Sequence, residues 1–238
     1  MLIVYALGHR YSRRHTRPPP PSEGSKAIHA AIFAIMGLLI AFSYSKAYSR
    51  LDERRELTVK EVNAIGTAYS RIDLLSQTSQ IELRKNFKQY IALRARYYNS
   101  LQNTNDMEAE HRNTAALERE IWRHAIENTQ GPDNVSARLL LIPALNAMGD
   151  IVLERSMTAQ SHPPLVVFLL LSIIAILCAG VTGYSSGHLD KKSFNLYNIT
   201  FAIVVSFTFY IILDIEHPTE GLITLNKANE AFKSLLVN

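Results

Sequence analysis

The sequence predicts an all-α integral membrane protein with three complete transmembrane helices and a large helical region between the first and second of them. Three stretches that contain no Asp, Glu, Lys or Arg carry this prediction: residues 27–45, 165–189 and 193–213. At about 1.5 Å of rise per residue they would extend roughly 28 to 38 Å as helices, and the hydrocarbon core of a bilayer is about 30 Å thick. Core helices of soluble proteins rarely run this far without a charge, so a lipid bilayer is the expected partner of these segments.

The charged residues are concentrated in residues 46–162 and in a basic leader near the amino terminus. The isoelectric point of about 9.1 raises the question of a nucleic-acid partner. However, basic and acidic residues alternate through LDERRELTVKE at residues 51–61, as they do on a solvated helix surface. We therefore expect no nucleic-acid partner. The single cysteine, Cys178, lies within an apolar stretch and predicts neither a disulfide framework nor a thiolate metal site.

The amino-terminal segment, residues 1–26, combines a short apolar run with a basic, proline-rich leader. Residues 1–8 are apolar and lead directly into HRYSRR, whereas a secretory signal has its basic residues before the apolar run. Eight residues are too few to cross a bilayer. The pattern predicts the residual end of a truncated fourth transmembrane helix, followed by the leader.

The first complete transmembrane helix is expected at residues 27–48. Its small residues, such as Ala30, Ala34 and Gly37, would let neighbouring helices approach closely in lipid. No Gly or Pro follows until Gly66, so the helix is expected to continue out of the membrane to about Leu75.

A polar helical domain is predicted for residues 49–162. A capping box at Ser79 to Glu82 marks a new helix start, and the Gly131-Pro132 pair marks a turn. A further amphipathic helix should follow from Val135 to about Met157, kinked at Pro143. Its expected apolar side consists of Leu139, Ile142, Leu145, Met148 and Val152.

The second and third transmembrane helices are predicted at residues 163–189 and 193–215, joined as a hairpin. Gly180, Gly183 and Gly187 either pack against a neighbouring helix or bend this end of the second one. Residues 216–238 should form an amphipathic tail. Near the ends of the spans, about as many basic residues lie on one side of the membrane as on the other, roughly seven against eight, so the positive-inside rule does not determine the topology.

Two sequence blocks resemble the bacterial bestrophin-like membrane proteins, a family of unknown function with the bestrophin channel fold. Residues 37–75 resemble the family's apolar helix that runs into Glu-x-Asn-Ala-Ile-Gly-Thr and a later Arg, although Val62 departs from the usual Ala. Residues 213–223 resemble its Leu-Asp-x-x-x-Pro-x-x-Gly ending. The residues that match the family motifs are Glu61, Asn63, Gly66, Thr67, Arg71, Asp214, Pro218 and Gly221.

The resemblance implies a homopentameric channel for small inorganic ions in the bacterial inner membrane, with the helical domain in the cytoplasm. It also implies that the first complete span lines the pore. Residues facing a pore should recur at i, i+3 or i+4, and i+7, and one such stripe contains Ile32, Ile35, Met36, Leu39 and Ser43. The alternative is that this stripe faces lipid or neighbouring helices.

Two groups of motif residues allow a functional and a structural interpretation. Glu61 and its neighbours form either an ion vestibule or a buried helix crossing in which Glu61 pairs with a basic residue of another helix, and we favour the crossing. Asp214 and Glu216 either bind a cation or cap the last span at the membrane interface, and we favour the cap. Animal bestrophins bind calcium at an acidic run after the last span, but here only Asp214, Glu216 and Glu220 are present, so no metal site is predicted.

Catalytic signatures are missing from the sequence. The eight histidines form no His-Glu-x-x-His motif, and there is no Gly-rich phosphate loop and no nucleophile elbow. We therefore predict no enzyme activity and no cofactor. The alternative to a channel is a membrane transducer or scaffold that uses the helical domain as a sensor or interaction bundle.

Overall fold

The computed structural model of the chain describes residues 2–15, 22–97, 104–161, 163–185, 191–216, 231–232 and 235. Every element within these ranges is helical, as the sequence predicts. The α-helices are α1 (Leu2–His15), α2 (Glu23–Arg71), α3 (Gln77–Tyr97), α4 (Thr104–Asn128), α5 (Val135–Gln160), α6 (Leu165–Ser185) and α7 (Lys191–Glu216). Short 3-10 turns at Ile72–Leu74 and Pro132–Asn134 follow α2 and precede α5. The chain divides into two compact units, residues 1–49 with 162–216 and residues 50–161 with 217–238.

Helix α2 is one unbroken helix of 49 residues. It confirms the prediction that the first span continues far beyond its apolar part. Ser22 caps its amino terminus, because the Ser22 Oγ accepts a hydrogen bond from the Ser25 N–H at 3.2 Å. Glu23 in the first turn also favours the start, since a negative charge stabilises the amino-terminal end of a helix.

The first unit contains α1, the amino-terminal part of α2, α6 and α7. Among its described residues, an apolar cluster joins Met36 of α2 with Ala175 and Cys178 of α6 and Val205 of α7, all of them buried. Phe33 and Phe201 add an edge-to-face contact, with ring centroids 5.4 Å apart. The core of this unit is therefore built where α2, α6 and α7 meet.

Helix α1 packs closely against α6 through glycines. A Cβ atom on Gly8 would lie 2.8 Å from the Gly180 carbonyl oxygen, and a Cβ atom on Gly183 would collide with the backbone of Tyr5. Gly180 and Gly183 thus serve close helix packing, one of the two roles considered for them, whereas Gly187 lies outside the described residues. The helix extends through the basic residues to His15, so it is longer than the residual helix end expected from residues 1–8.

The second unit is a helical domain with a continuous apolar core. Its largest fully buried side chains come from all its helices and include Ile65 of α2, Phe87 of α3, Ile121 of α4 and Met148 of α5. Phe232, close to the carboxyl terminus, is also fully buried in this core. The domain therefore has the hydrophobic interior of an independently packed unit.

Helix α3 starts three residues earlier than the capping box suggests, because a cap at Ser79 would make Gln80 the first helical residue. It begins at Gln77, and the Gln80 N–H donates to the Ser76 carbonyl oxygen at 3.0 Å, so Ser79 lies within the first turn. The Ser79 hydroxyl instead donates to Asn128 Oδ1 at 2.6 Å. The predicted cap at Ser79 is wrong because this hydroxyl connects α3 to the end of α4.

The helical periodicity of the sequence predicts only part of the buried side of α5. Leu145 and Met148 are buried as predicted, but Leu139 is 69% exposed. By length and composition α5 could cross a membrane, as could α2, α6 and α7. However, its Arg155 binds the buried carboxylate of Glu61 in the second unit, and we therefore assign α5 to the helical domain and keep three complete transmembrane helices.

Candidate functional site

One face of α2 in the first unit is apolar and is not covered by the other described helices of that unit. Ile28, Ile35, Leu38 and Phe42 follow one another at helical spacing and are 62%, 54%, 55% and 62% exposed. We call Ile35, Leu38 and Phe42 the exposed row of α2. Apolar side chains on a membrane helix must face lipid, another protein chain or a pore, so this row is the candidate functional surface of the span.

The predicted pore stripe combines two different faces of α2. Met36 is only 6% exposed and packs inside the unit against α6 and α7, together with Ile32. Leu39 and Ser43 are half-buried at the edge, and only Ile35 is well exposed. A side chain packed inside one chain is not available to line a pore between chains, so the burial of Met36 speaks against this residue, whereas Ile32, Ile35, Leu39 and Ser43 stay predictions.

A buried ion-pair network in the second unit is centred on Glu61, whose side chain is 0% exposed. Arg94 of α3 donates from Nε to Oε1 at 2.5 Å and from Nη2 to Oε2 at 3.0 Å. Arg155 of α5 donates from Nη1 to the same Oε2. Glu61 therefore pairs with basic residues of two other helices, which is the helix crossing favoured by the sequence.

The surroundings of this network are also buried. Tyr90 of α3 is fully buried, and burial raises its pKa above the usual value, because the phenolate would lose its hydration. The charge of Arg94 opposes this shift, while Glu118 and Glu61 add to it. Glu118 belongs to α4, and its Oε1 lies so near Gly149 of α5 that a Cβ there would be 3.0 Å away. Four helices thus place charged side chains around Tyr90.

The remaining motif residues occupy different surroundings. Asn63 and Thr67 are exposed, and a Cβ on Gly66 would contact Leu235 at 3.4 Å. Arg71 donates from Nη1 to the Leu140 carbonyl oxygen of α5 at 2.6 Å. Pro218 and Gly221 lie outside the described residues. Among these motif residues, Glu61 is buried and charged, Arg71 binds a backbone carbonyl oxygen, and Asn63 and Thr67 are polar and exposed. They therefore do not form a single site.

The partners of Glu61 were not identified from the sequence. Arg94 follows Phe87 and Tyr90 on the same helical face of α3, and a single arginine on an otherwise apolar face is the signal that it must pair with a buried acid. Arg155 gives no such signal, because it lies 94 residues from Glu61 in a segment with several other charges.

Asp214 and Glu216 are buried at the end of α7, with 7% and 1% of their surface exposed. They lie at the end of the last span, and the interfacial cap expected there stays a prediction. Within the described part of the chain, no group of three His, Cys, Asp or Glu side chains is close enough to hold a metal ion. The position of Glu220 lies outside that part.

Comparison with known proteins gives a family and a fold. The model of the Bestrophin-like domain matches residues 1–229. A crystal structure of a mutant bacterial Bestrophin homolog from Klebsiella pneumoniae is similar with a TM-score of 0.76 at 11% identity, over 100% of this chain and 98% of that chain. A second mutant of the homolog gives a TM-score of 0.75 at 13% identity, over 100% and 96%.

A further similar crystal structure is described as that of a membrane protein, with a TM-score of 0.74 at 11% identity, over 100% of this chain and 98% of that chain. Identities this low show a shared fold and nothing more. No curated protein matches the sequence significantly.

Proposed function

Because this chain belongs to the bestrophin-like family, we propose that it forms an oligomeric channel, a homopentamer, that passes small inorganic ions through a central pore. The observation that carries the proposal is the exposed row of α2, an apolar face on the first span that the other described helices of its unit leave uncovered. Five copies with this row at a common axis would surround a narrow passage with Ile35, Leu38 and Phe42. An apolar constriction of this kind gates by dewetting.

The exposed row replaces the stripe expected from the sequence, and Ile35 belongs to both. Leu39 and Ser43 lie at its edge, where they would contact the next copy or the rim of the pore. The family resemblance supports placing the helical domain in the cytoplasm and the protein in the bacterial inner membrane.

The Glu61 network supports the proposed role of α2. Its two arginines hold α2 against α3 and α5, and turning α2 about its axis would separate Glu61 from both. A buried carboxylate without its partners is costly, so the network holds α2 in one rotational orientation. The orientation of α2 is what decides which of its side chains would face a symmetry axis.

Two measurements test the proposal together. Light scattering of the purified protein in detergent should give the mass of a pentamer, and a monomer or dimer would contradict it. Planar-bilayer recording should then show single-channel current steps that disappear when the protein is omitted. A stable pentamer without current steps would overturn the channel and favour the transducer or scaffold.

A further inference from the structure

Helix α5 has a second apolar face, which points away from the core of the helical domain. Leu139, Leu153 and Met157 on this face are 69%, 62% and 68% exposed. All residues along this line of α5 are exposed, and we call them the outer face of α5: Leu139, Pro143, Asn146, Asp150, Leu153 and Met157. Together these apolar side chains present on the order of several hundred Å² to the outside, which marks an interaction surface on a soluble domain.

Lipid is not suited to cover this face. The carboxylate of Asp150 lies in the middle of the row, and an ionised carboxylate within hydrocarbon is strongly disfavoured. Arg155, on the opposite side of α5, binds the buried carboxylate of Glu61 and therefore does not pair with Asp150. A protein surface with basic groups near Asp150 and apolar groups near Leu153 would complement the outer face of α5.

A face with this chemistry exists on the same domain. On α3, Ile81, Lys85 and Lys88 follow at i, i+4 and i+7, and all three are exposed, Ile81 by 70%. We call these three residues the outer face of α3. It is basic where the outer face of α5 is acidic, and each carries at least one large exposed apolar side chain.

We infer that the outer face of α5 in one copy of the chain packs against the outer face of α3 in the next copy. The inference rests on the proposed function, because the contact joins two different faces head to tail, and such contacts form a closed ring of identical subunits when the rotation between neighbours closes. Leu153 and Met157 would bury Ile81 of the neighbour, while Asp150 would lie near Lys85 and Lys88. This contact would join the helical domains around the ring.

Cysteine cross-linking tests the contact directly, because the only native cysteine, Cys178, is buried in the first unit. One copy carries Ile81→Cys and one tag, and a co-expressed copy carries Leu153→Cys or Met157→Cys and another tag. Oxidation should give a disulfide-linked dimer with both tags for at least one of these pairs. Glu127→Cys on α4, which is similarly exposed, replaces the α5 cysteine in the control and should give none.

Two results would overturn the inference. One is an intact oligomer without any mixed disulfide for either pair. The other is efficient linkage between two Leu153→Cys copies, since that would show α5 meeting α5 in a symmetric contact. If the wild-type protein is monomeric by mass, the proposed function itself fails, so the two failures are distinguishable.

A charge exchange adds an independent measurement. Asp150→Lys should raise the dissociation constant of the detergent-solubilised oligomer by roughly tenfold or more, because like charges then face each other across the contact. Adding Lys85→Asp and Lys88→Asp to the same chain should restore most of the oligomer. If Asp150→Lys assembles like the wild type, the contact is contradicted. It is also contradicted if the combined variant assembles no better than Asp150→Lys.

Discussion

Glu61 and Arg94 form an ion pair that is closed off from solvent, with side chains that are 0% and 5% exposed and an Nε–Oε1 distance of 2.5 Å. Both carboxylate oxygens are used, because Arg155 also binds Oε2. Replacing a whole buried pair by apolar residues is often neutral, whereas removing one partner leaves a buried charge without compensation. The packing of α2 in the helical domain therefore depends on Arg94 of α3 and Arg155 of α5.

Glu61→Gln should strongly destabilise the helical domain. The amide cannot neutralise two buried guanidinium groups, and the expected loss is about 3 to 5 kcal/mol of unfolding free energy. Thermal unfolding of the purified protein, followed by circular dichroism, measures it.

The matched control is Glu56→Gln, one turn earlier on the same helix. Glu56 pairs with Lys60 at 2.8 Å but is 64% exposed, so its loss should change the unfolding temperature far less than Glu61→Gln, because water screens the charges of an exposed pair. Equal unfolding temperatures for the two variants would contradict a stabilising role of the buried network.

Two features could be predicted from the sequence, because both follow from local rules. They are the continuation of α2 beyond the membrane and the basic character of the partner of Glu61. A stretch without Gly or Pro continues a helix, and a charge at a motif position within an amphipathic helix must be paired if it is buried. The identity of the partners was not predictable, because Arg94 and Arg155 are 33 and 94 residues away. Such pairing is decided by tertiary packing.

The outward faces of α2 and α5 could not be predicted for a different reason. Both helices carry apolar residues nearly all round, so a period of 3.6 residues does not distinguish the core side from the outer side. Met36 and Leu139 were therefore assigned to the wrong faces, whereas Met148 was assigned correctly.

Gly183→Ala should weaken the packing of α1 on α6. The added methyl group would overlap the backbone of Tyr5, and neither helix can yield without separating from the other. Overpacking of this kind costs typically 1 to 3 kcal/mol, so the unfolding temperature in detergent should fall.

The control for this variant is Gly37→Ala on α2, where a Cβ meets nothing within 4 Å. It should leave stability unchanged or raise it, because alanine favours a helix over glycine by up to about 1 kcal/mol. If the two alanine variants lose stability equally, the close approach of α1 and α6 is not what constrains Gly183.

Tyr90→Phe should stabilise the protein at neutral pH. The Tyr90 hydroxyl is buried and finds no hydrogen-bond partner among the described residues, so its removal should gain about 1 kcal/mol. Tyr69→Phe is the control variant, because Tyr69 is half-buried and its contact with the Arg84 guanidinium, 4.7 Å from the ring centroid, is made by the ring and is kept by phenylalanine. Its stability should change less than that of Tyr90→Phe, and denaturant unfolding at pH 7 compares the two.

Tyr90 should also make the stability of the folded protein depend on pH in the alkaline range. Burial raises the pKa of Tyr90 in the folded protein, whereas the unfolded phenol loses its proton near pH 10. Its contribution to stability is therefore present below about pH 10 and is lost as the pH rises further. The stability advantage of Tyr90→Phe over the wild type should grow between pH 9 and about pH 11, and a constant difference would contradict the raised pKa.

Leu38→Asn should increase the single-channel conductance if the exposed row of α2 lines the pore. Leu38 is 55% exposed in the middle of that row, and a polar ring would lower the barrier to wetting of the passage. A barrier lower by about 1.4 kcal/mol gives roughly a tenfold faster passage, so a several-fold rise is expected in planar-bilayer recordings. The matched control is Ile173→Asn on α6, which is 47% exposed and should leave the conductance unchanged. An unchanged conductance for Leu38→Asn in protein that still forms channels would mean that another face of the span meets the ions.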